Sequence, residues 1–356
     1  MTRNIRSSSS RSLPERIAGL LAAVLLLGAA GCAPAGETDP SALRIGVALY
    51  DQDDTFISSV VQHLERLAQE TGIKREQKIN LSLADGGSNQ TTQMEQVDRF
   101  LSRGCDVLCV NIVDRTAAAV LIDKAEEAGT PLIFFNRQPV AEDIDYRQHV
   151  YYVGASAQEG GTLQGQLVLD AWRQDQSRLD RSGDGVLQYV MLEGEPGHQD
   201  SLLRTEYSVK TLTDAGVEVE KLAGDAANWN RGQAAVRMRQ WLSEFGEQIE
   251  VVFANNDDMA LGAIDVLREW AGTPPLVVGV DATAPALEAV AEGTLYGTVL
   301  NDAQGMAQAM LELAISLSSG TDPAVKLEDG HYVWLPYQKI DRTNLDQFLQ
   351  ENPQSH

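Results

Sequence analysis

Carboxylate and amide side chains follow several apolar runs of the sequence, each at the point where a predicted strand ends. They are Asp53, Asp54, Asn111, Asn136, Asn255, Asn256 and Asp281. Because ligands of open α/β sheets bind at the carboxyl ends of strands, we expect these side chains to form a ligand site. Asn and Asp are also favoured in turns and at helix N-caps, and that alternative explains about half of them.

A second group of oxygen-bearing residues lies in the segment 180–188. The segment reproduces the first nine positions of an EF-hand calcium loop, with ligands at alternate positions and glycine at the sixth. These residues are Asp180, Ser182, Asp184, Gly185, Val186 through its backbone carbonyl, and Gln188. Met191 stands where such a loop needs a glutamate. The pattern therefore predicts a calcium site, with a plain turn as the alternative.

His198, Asp200 and Arg204 form a third group at the start of a predicted helix. His198 and Asp200 are possible metal ligands, but a catalytic metal site needs a third ligand, and the sequence offers no obvious one. An arginine beside carboxylates is also a common structural ion pair.

The elements that position these groups alternate between short apolar runs and helical periods. The first series predicts strands at 43–50, 79–84, 107–112 and 132–135, with helices at 56–70, 90–103 and 117–128. The second predicts strands at 151–154, 186–192, 251–254 and 276–280, with helices at 158–175, 199–215, 231–245 and 257–271. Such alternation predicts two α/β domains, each a doubly wound parallel sheet covered by helices.

Three common enzyme motifs of this architecture are absent from the sequence. There is no G-x-x-x-x-G-K-[ST] loop, no G-x-G-x-x-G after the first strand and no G-x-S-x-G elbow. We therefore expect a protein that is not an enzyme.

The N-terminus predicts export. Four arginines precede the uncharged apolar run 17–30, which is shorter than the roughly 20 residues of a transmembrane helix, and Cys32 follows it. The run resembles a bacterial lipobox, except that Ala29 replaces the usual larger aliphatic residue. The expected product is a lipoprotein with signal peptide 1–31, a tether at 32–42 lipidated at Cys32, and no other attachment to the membrane. The alternative is an ordinary signal peptide in which the cysteine occurs by chance.

The charge of the processed chain disfavours nucleic acid as a partner. The full chain has a formal charge of -23, and after residue 31 it keeps 24 basic against 50 acidic residues. Binding to nucleic acid needs clustered positive charge instead.

Cys105 and Cys109 lie in one predicted strand. Four residues of strand separate their Cα atoms by roughly 13 Å, well beyond disulfide reach. We expect both to be reduced packing residues.

Many separated motifs, in order and with close spacing, resemble the bacterial D-galactose/D-glucose-binding proteins between about residues 43 and 340. They are RIGVALY (44–50), DDTF (53–56), VNIVD (110–114), FFN (134–136), YYVG (151–154), GEPGHQD (194–200), ANND (254–257), GVD (279–281) and GTVLND (297–302). The resemblance implies the type I periplasmic binding protein fold, in which a sugar binds between two α/β domains and is handed to an ABC transporter permease.

The resemblance also implies a set of sugar-contacting residues, and none of them is substituted in this chain. They are Asp54, Phe56, Asn111, His198, Asp200, Arg204, Trp229, Asn256, Asp281 and Asn301. Amides, carboxylates and arginine suit the hydroxyls of a hexopyranose, and Phe56 and Trp229 suit its apolar faces. Taken alone, Phe56 and Trp229 are more often core residues.

The same resemblance completes the calcium site with Glu250 and gives it a structural role. Ser182 stands where the family has an asparagine, which weakens the site. The implied domains are residues 43–131 with 300–334, and residues 132–299 with 335–356. Three crossings, near 129–132, 299–301 and 334–336, would join them. We expect a monomer on the extracellular or periplasmic face of the membrane.

Other functions stay open at this point. The ligand could be xylose or ribose, and the protein could present its sugar to a chemotaxis receptor. A sugar-responsive transcription regulator shares the two-domain body, but its N-terminus would carry a basic helix-turn-helix. A hydrolase using Asp54 or Asp200 with His198 would release a product.

Overall fold

The computed structural model describes residues 42–353. The predicted signal peptide, Cys32 and most of the predicted tether lie outside these residues. The strands are β1 (Leu43–Leu49), β2 (Ile79–Asp85), β3 (Val107–Val110), β4 (Leu132–Phe135), β5 (Val150–Ala155), β6 (Val186–Glu193), β7 (Glu218–Ala226), β8 (Val251–Ala254), β9 (Leu276–Val278), β10 (Gly297–Leu300), β11 (Tyr332–Leu335) and β12 (Gln338–Asp341).

Helices separate most of these strands. They are α1 (Thr55–Arg75), α2 (Gln90–Ser102), α3 (Ala118–Ala128), α4 (Ala141–Asp145), α5 (Ala157–Gln174), α6 (Gln176–Leu179), α7 (Gln199–Asp214), α8 (Arg231–Phe245), α9 (Asp257–Leu267), α10 (Ala284–Glu292), α11 (Ala303–Ser318) and α12 (Leu345–Glu351). Within the described range, no helix has the length and apolar character needed to cross a membrane.

The strands form two six-stranded sheets. The first has the order β11-β5-β4-β3-β1-β2, and the second has the order β12-β10-β9-β8-β6-β7. All paired strands run parallel except β10 and β12. We call the two sheets with their helices the first lobe and the second lobe. The predicted fold class, two α/β domains with parallel sheets, is confirmed.

Continuous apolar strands build the centre of each lobe. Every residue of β3, β4 and β8 is buried, as expected for parallel strands covered by helices on both faces. Helices begin directly after strand ends and are capped there by site residues. Asp54 caps α1 by accepting from the Ile57 amide, and Asn256 caps α9 by accepting from the Met259 amide. Capping and ligand contact are therefore compatible roles for these side chains.

The first crossing between the lobes differs from the prediction. Strands β4 and β5 pair with the first sheet, so the chain leaves the first lobe after Ala155 rather than near residues 129–132. The prediction that residues 132–155 belong to the second domain is wrong, because a buried apolar strand fits either sheet equally well. The other two changes of sheet occur between β10 and α11 and between β11 and β12.

Strand β7 was not predicted from the sequence. It forms the outer edge of the second sheet beside β6, and most of its residues are half-buried or exposed. A strand at an edge has little apolar surface to bury, so its sequence carries a weak signal.

Candidate functional site

A small cavity lies between the two lobes. Eight of the ten predicted sugar-contacting residues line it: Asp54, Phe56, His198, Asp200, Arg204, Trp229, Asn256 and Asp281. The first two come from the first lobe and the other six from the second, so a ligand in this cavity contacts both lobes.

Asn111 and Asn301 lie one step behind the cavity wall. The Asn111 amide nitrogen donates to the Phe135 carbonyl at 3.0 Å and to Oδ1 of Asn136 at 3.2 Å. The Asn301 amide nitrogen donates to Oδ1 of Asp281 at 3.2 Å. Neither Oδ1 atom has a hydrogen-bond partner among residues 42–353. Both amides support residues of the cavity wall and keep one acceptor free.

Arg204 and Arg137 are two buried cations that line the cavity. Nη2 of Arg204 donates to Oδ2 of Asp200 at 3.0 Å and to the Tyr337 hydroxyl at 2.9 Å, and its Nη1 donates to the Asn255 carbonyl at 2.8 Å. Nη1 also lies 3.8 Å from Oδ1 of Asp281. These contacts fix the guanidinium fork, so the neighbouring carboxylates face the cavity in a set geometry.

Burial raises the pKa of both Asp200 and Asp281, while the charge of Arg204 opposes that rise. Burial lowers the pKa of Arg204, but Tyr337 and the carboxylates raise it by more. The guanidinium is therefore always charged. Its positive charge offsets the cost of burying the carboxyl groups of Asp200 and Asp281 beside a ligand.

Two aromatic side chains give the cavity its apolar surface. Phe56 lies in the first turn of α1 on the first lobe, and Trp229 precedes α8 on the second. Trp229 has a left-handed backbone conformation with φ of 62°, and a Cβ atom at Gly194 would lie 2.2 Å from its ring. Glycine at position 194 thus makes room for the indole. Apolar rings suit the C–H faces of a sugar.

His198 stands beside Trp229, with ring centroids 5.1 Å apart. Burial, together with Arg137 and Arg204, lowers its pKa well below the ordinary value, so the imidazole is neutral. The Asp200 amide donates to Nδ1 at 3.1 Å, which places the ring proton on Nε2. His198 therefore caps α7 through one nitrogen and offers a donor through the other.

Two cavity residues, Tyr50 and Arg137, were missing from the predicted site. Asn136 also lines the cavity; it was expected at the end of a strand but was not among the predicted sugar contacts. The Tyr50 hydroxyl donates to Oδ2 of Asp54 at 2.5 Å, and the Arg137 guanidinium lies 3.5 Å from the centroid of the Tyr50 ring. The available signal was position, since Asn136 and Arg137 follow β4 just as Asn111 follows β3.

Polar contacts close the two lobes around the cavity. Nη2 of Arg137 lies 2.9 Å from Oε2 of Glu195. Two further contacts join the lobes, from Gln199 to Gln138 at 3.1 Å and from Thr55 to Asp258 at 2.6 Å. The structure is thus a closed form, in which the cavity is walled from both sides.

The predicted calcium loop is compact and reaches the predicted distant glutamate. Oδ1 of Asp180 accepts from the Gly183 amide at 2.7 Å, and Oδ1 of Asp184 accepts from the Val186 amide at 2.8 Å. The carboxylate of Glu250 accepts from the Gln188 amide at 3.0 Å and from the Ser182 amide at 3.3 Å. Glu250 therefore ties both ends of the loop to the strand β8 that follows it.

The chemistry of these groups fits calcium, which prefers carboxylate and carbonyl oxygens. Oε1 of Gln188 is buried and has no hydrogen-bond partner within the described part of the chain. In the same range, however, no three His, Cys, Asp or Glu side chains come together closely enough to hold a metal ion. Calcium binding remains a prediction.

This chain is similar in sequence and in fold to known proteins. Residues 45–322 match the family described as "Periplasmic binding protein domain". The D-galactose/methyl-galactoside binding periplasmic protein of Haemophilus influenzae is 37% identical over 311 residues, which are 86% of this chain and 92% of that protein. The xylitol-binding protein of Mycolicibacterium smegmatis is 30% identical over 298 residues, which are 83% of this chain and 78% of that protein.

Among solved structures, an ABC transporter solute binding protein from Bacillus halodurans, with bound myo-inositol, superposes with a TM-score of 0.73. It is 28% identical, and the match covers 88% of this chain and all of that one. These relatives are binding proteins by name, which agrees with the prediction that this chain is not an enzyme. The match to 278 of its 356 residues shows that the chain belongs to the periplasmic binding protein domain family.

Proposed function

We propose that this protein binds D-galactose or D-glucose in the cavity between its lobes and delivers the sugar to an ABC importer. The observation that carries the proposal is the cavity itself. Eight residues chosen from the sequence as sugar contacts line it, and they come from both lobes. The Haemophilus influenzae relative, a D-galactose/methyl-galactoside binding protein, supports the choice of sugar.

The contacts of the cavity suit a neutral pyranose. Phe56 and Trp229 offer apolar surface for the C–H faces, and the Arg204 network offers donors and acceptors for the hydroxyls. Asp54 has no cation paired with it among residues 42–353, and it accepts from Tyr50 and from the Ile57 amide. A carboxylate can accept from an equatorial or an axial hydroxyl, so Asp54 suits both glucose and galactose.

Closure follows from ligand contact with both lobes. Only the closed state brings the residues of the two lobes to the same ligand, so the sugar favours that state by its differential affinity. The permease would recognise the closed arrangement. We expect a monomer, because one chain supplies the whole wall of the cavity.

Relatives of this chain bind other polyols, which makes a different small polyol or monosaccharide the second candidate. One relative is a xylitol-binding protein, and one structural neighbour holds myo-inositol. Melting temperatures measured with D-galactose, D-glucose, D-xylose, D-ribose, xylitol and myo-inositol separate these candidates. A ligand at 100 times its Kd adds about 2.7 kcal/mol to the free energy of unfolding, so it raises the melting temperature by several degrees. A shift with xylitol or myo-inositol alone would reject the hexose proposal.

We further propose that calcium binds the loop formed by residues 180–188 with Glu250. The bound ion would join the loop to β8 and stabilise the second lobe, with Asp180, Ser182, Asp184, Gln188, Glu250 and the Val186 carbonyl as oxygen ligands. Two observations support this assignment: Oε1 of Gln188 has no hydrogen-bond partner among residues 42–353, and Glu250 lies at the loop.

We also propose that the chain is exported and attached to the membrane through a lipid on Cys32. The support is the apolar run before Gly31-Cys32 and the tether-like sequence after it. Labelling of cells with radioactive palmitate tests this: the full-length protein should take up label, and the Cys32→Ser variant should not. Equal labelling of both proteins would reject Cys32 as the lipidated residue.

A further inference from the structure

Asp257 is a buried carboxylate that stands next to the cavity without lining it. It follows the cavity residue Asn256 in the first turn of α9 and is completely buried. Its Oδ1 accepts from the Thr298 hydroxyl at 2.7 Å, and its Oδ2 accepts from the Thr283 amide at 2.9 Å. No cationic side chain pairs with it within residues 42–353. Burying a carboxylate without a cation has a high desolvation cost. The hydrogen bonds of Asp257 offset part of that cost, so their partners show what the residue does.

The partners of Asp257 hold a strained segment of backbone that carries a cavity residue. Asp281 and the residue after it, Ala282, have backbone φ angles of 118° and 54°. Residues other than glycine rarely adopt such positive φ angles. Such conformations persist only when the surrounding structure holds them. The carboxylate of Asp281 belongs to the cavity wall.

Three consecutive amides of this segment are anchored, two of them to the strand β10. The Asp281 amide donates to the Val299 carbonyl at 2.8 Å, and the Ala282 amide donates to the Thr298 hydroxyl oxygen at 3.2 Å. The Thr283 amide donates to Asp257. Asp257 thus supports the segment twice, directly through Thr283 and indirectly through Thr298.

The direction of these hydrogen bonds explains why an acceptor is needed at position 257. The Thr298 hydroxyl has one proton, and it donates that proton to Asp257, which leaves its oxygen lone pairs for the Ala282 amide. The fit is also close, since a Cβ atom at Gly279 would lie 2.2 Å from Oδ1 of Asp257. All of these residues belong to the second lobe, so the arrangement is independent of closure.

We propose that Asp257 is a positioning residue for the ligand: through Thr298 and Thr283 it holds the segment Asp281–Ala282 against β10 and so sets the place of the Asp281 carboxylate in the cavity. The inference rests on the proposed function, in that the cavity binds a sugar through Asp281.

The test uses the full-length protein with two variants at Thr298 and one matched control. Thr298→Val keeps the shape but removes the hydroxyl bridge, and Thr298→Ser restores it. Thr294→Val removes a hydroxyl of the same lobe that donates to the Ala289 carbonyl and lies outside the cavity wall. The Kd for D-galactose is measured by calorimetry. Hydrogen exchange of the amides of Ala282 and Thr283 is measured without sugar.

We expect Thr298→Val to weaken D-galactose binding about tenfold, as for other residues that support a site, and to speed exchange of the two amides. Thr298→Ser and Thr294→Val should match the unmodified protein in both measurements. A general loss of stability would not change the Kd of the folded molecules.

The proposal is overturned if Thr298→Val binds like Thr294→Val, or if the amides exchange at the original rate. If the unmodified protein binds no D-galactose or D-glucose, the proposed function fails, and the exchange measurement still decides whether the segment is anchored in this way.

Discussion

The guanidinium of Arg137 reaches across the cleft to Glu195, with Nη2 2.9 Å from Oε2, so that one ion pair joins the lobes beside the cavity. Arg137 is buried and stacks on Tyr50, whereas about a third of the Glu195 side chain is exposed. The pair forms only when the lobes are closed. It therefore adds to the stability of the closed state, although neither residue is a predicted sugar contact.

Removing this pair should weaken ligand binding modestly. We expect Glu195→Gln to raise the Kd for D-galactose roughly two- to fivefold, because partly exposed ion pairs contribute up to about 1 kcal/mol and the closed state becomes less populated. Calorimetry measures the change. Glu193→Gln is the matched control, since Glu193 pairs with Lys221 inside the second lobe. Equal affinities of the two variants would contradict the role assigned to Glu195.

Trp229→Ala should weaken sugar binding at least about 30-fold, because a buried aromatic at the centre of a site commonly contributes 2 kcal/mol or more. The protein should stay folded, as judged by circular dichroism. Trp270→Ala, a change of a half-buried tryptophan in the same lobe outside the cavity wall, should leave the affinity unchanged. An unaltered Kd for Trp229→Ala in folded protein would mean that the ligand binds elsewhere.

Asp257 should make stability depend on pH. Burial raises its pKa to about 7, against about 3.9 in an unfolded chain, so the folded protein holds this proton more tightly. The resulting stabilisation is complete below about pH 4 and is lost as the pH rises through about 7. Urea unfolding at about pH 4.5 and about pH 7.5 should show a smaller loss of stability for Asp257→Asn than for the unmodified protein. Asp170→Asn, at an exposed ion pair with Lys339, should behave like the unmodified protein, and identical slopes for all three would refute the assignment.

Chelation of calcium should lower the melting temperature, because an ion bound to the folded state stabilises it by mass action. Glu250→Gln should abolish the difference between melts with calcium and with chelator, since Glu250 joins the loop to β8. Glu247→Gln, at an exposed residue nearby, should keep that difference. Identical melts of the unmodified protein with and without chelator would remove the calcium site.

Eight residues predicted from the sequence line the cavity, whereas the first boundary between the lobes was misplaced. Asp54 and Asn256 were visible because a polar side chain after an apolar strand marks the end of a parallel sheet, and in the structure both also cap helices. His198 was predicted instead from the family resemblance, and it caps α7. The sheet to which β4 and β5 belong was not visible, because their apolar residues are compatible with either lobe.

Contacts between distant segments of the chain could not be predicted from the sequence either. Arg137 enters the cavity because it stacks on Tyr50 and meets Glu195 from the other lobe. Asn111 and Asn301 lie one layer behind the cavity wall, because Asn136 and Asp281 stand between them and the cavity. Spacing along a chain fixes the end of the sheet where a side chain lies, but its depth depends on neighbours from other strands.

Whether the cavity binds D-galactose or D-glucose is decided by calorimetric titration of the protein from Ala33 onward, freed of bound sugar, with each of the two sugars. We expect one-to-one binding of at least one of them, with recovery of the unchanged sugar. No heat with either sugar, while another polyol binds, would contradict this expectation and show that the cavity keeps the fold of the family but takes a different ligand.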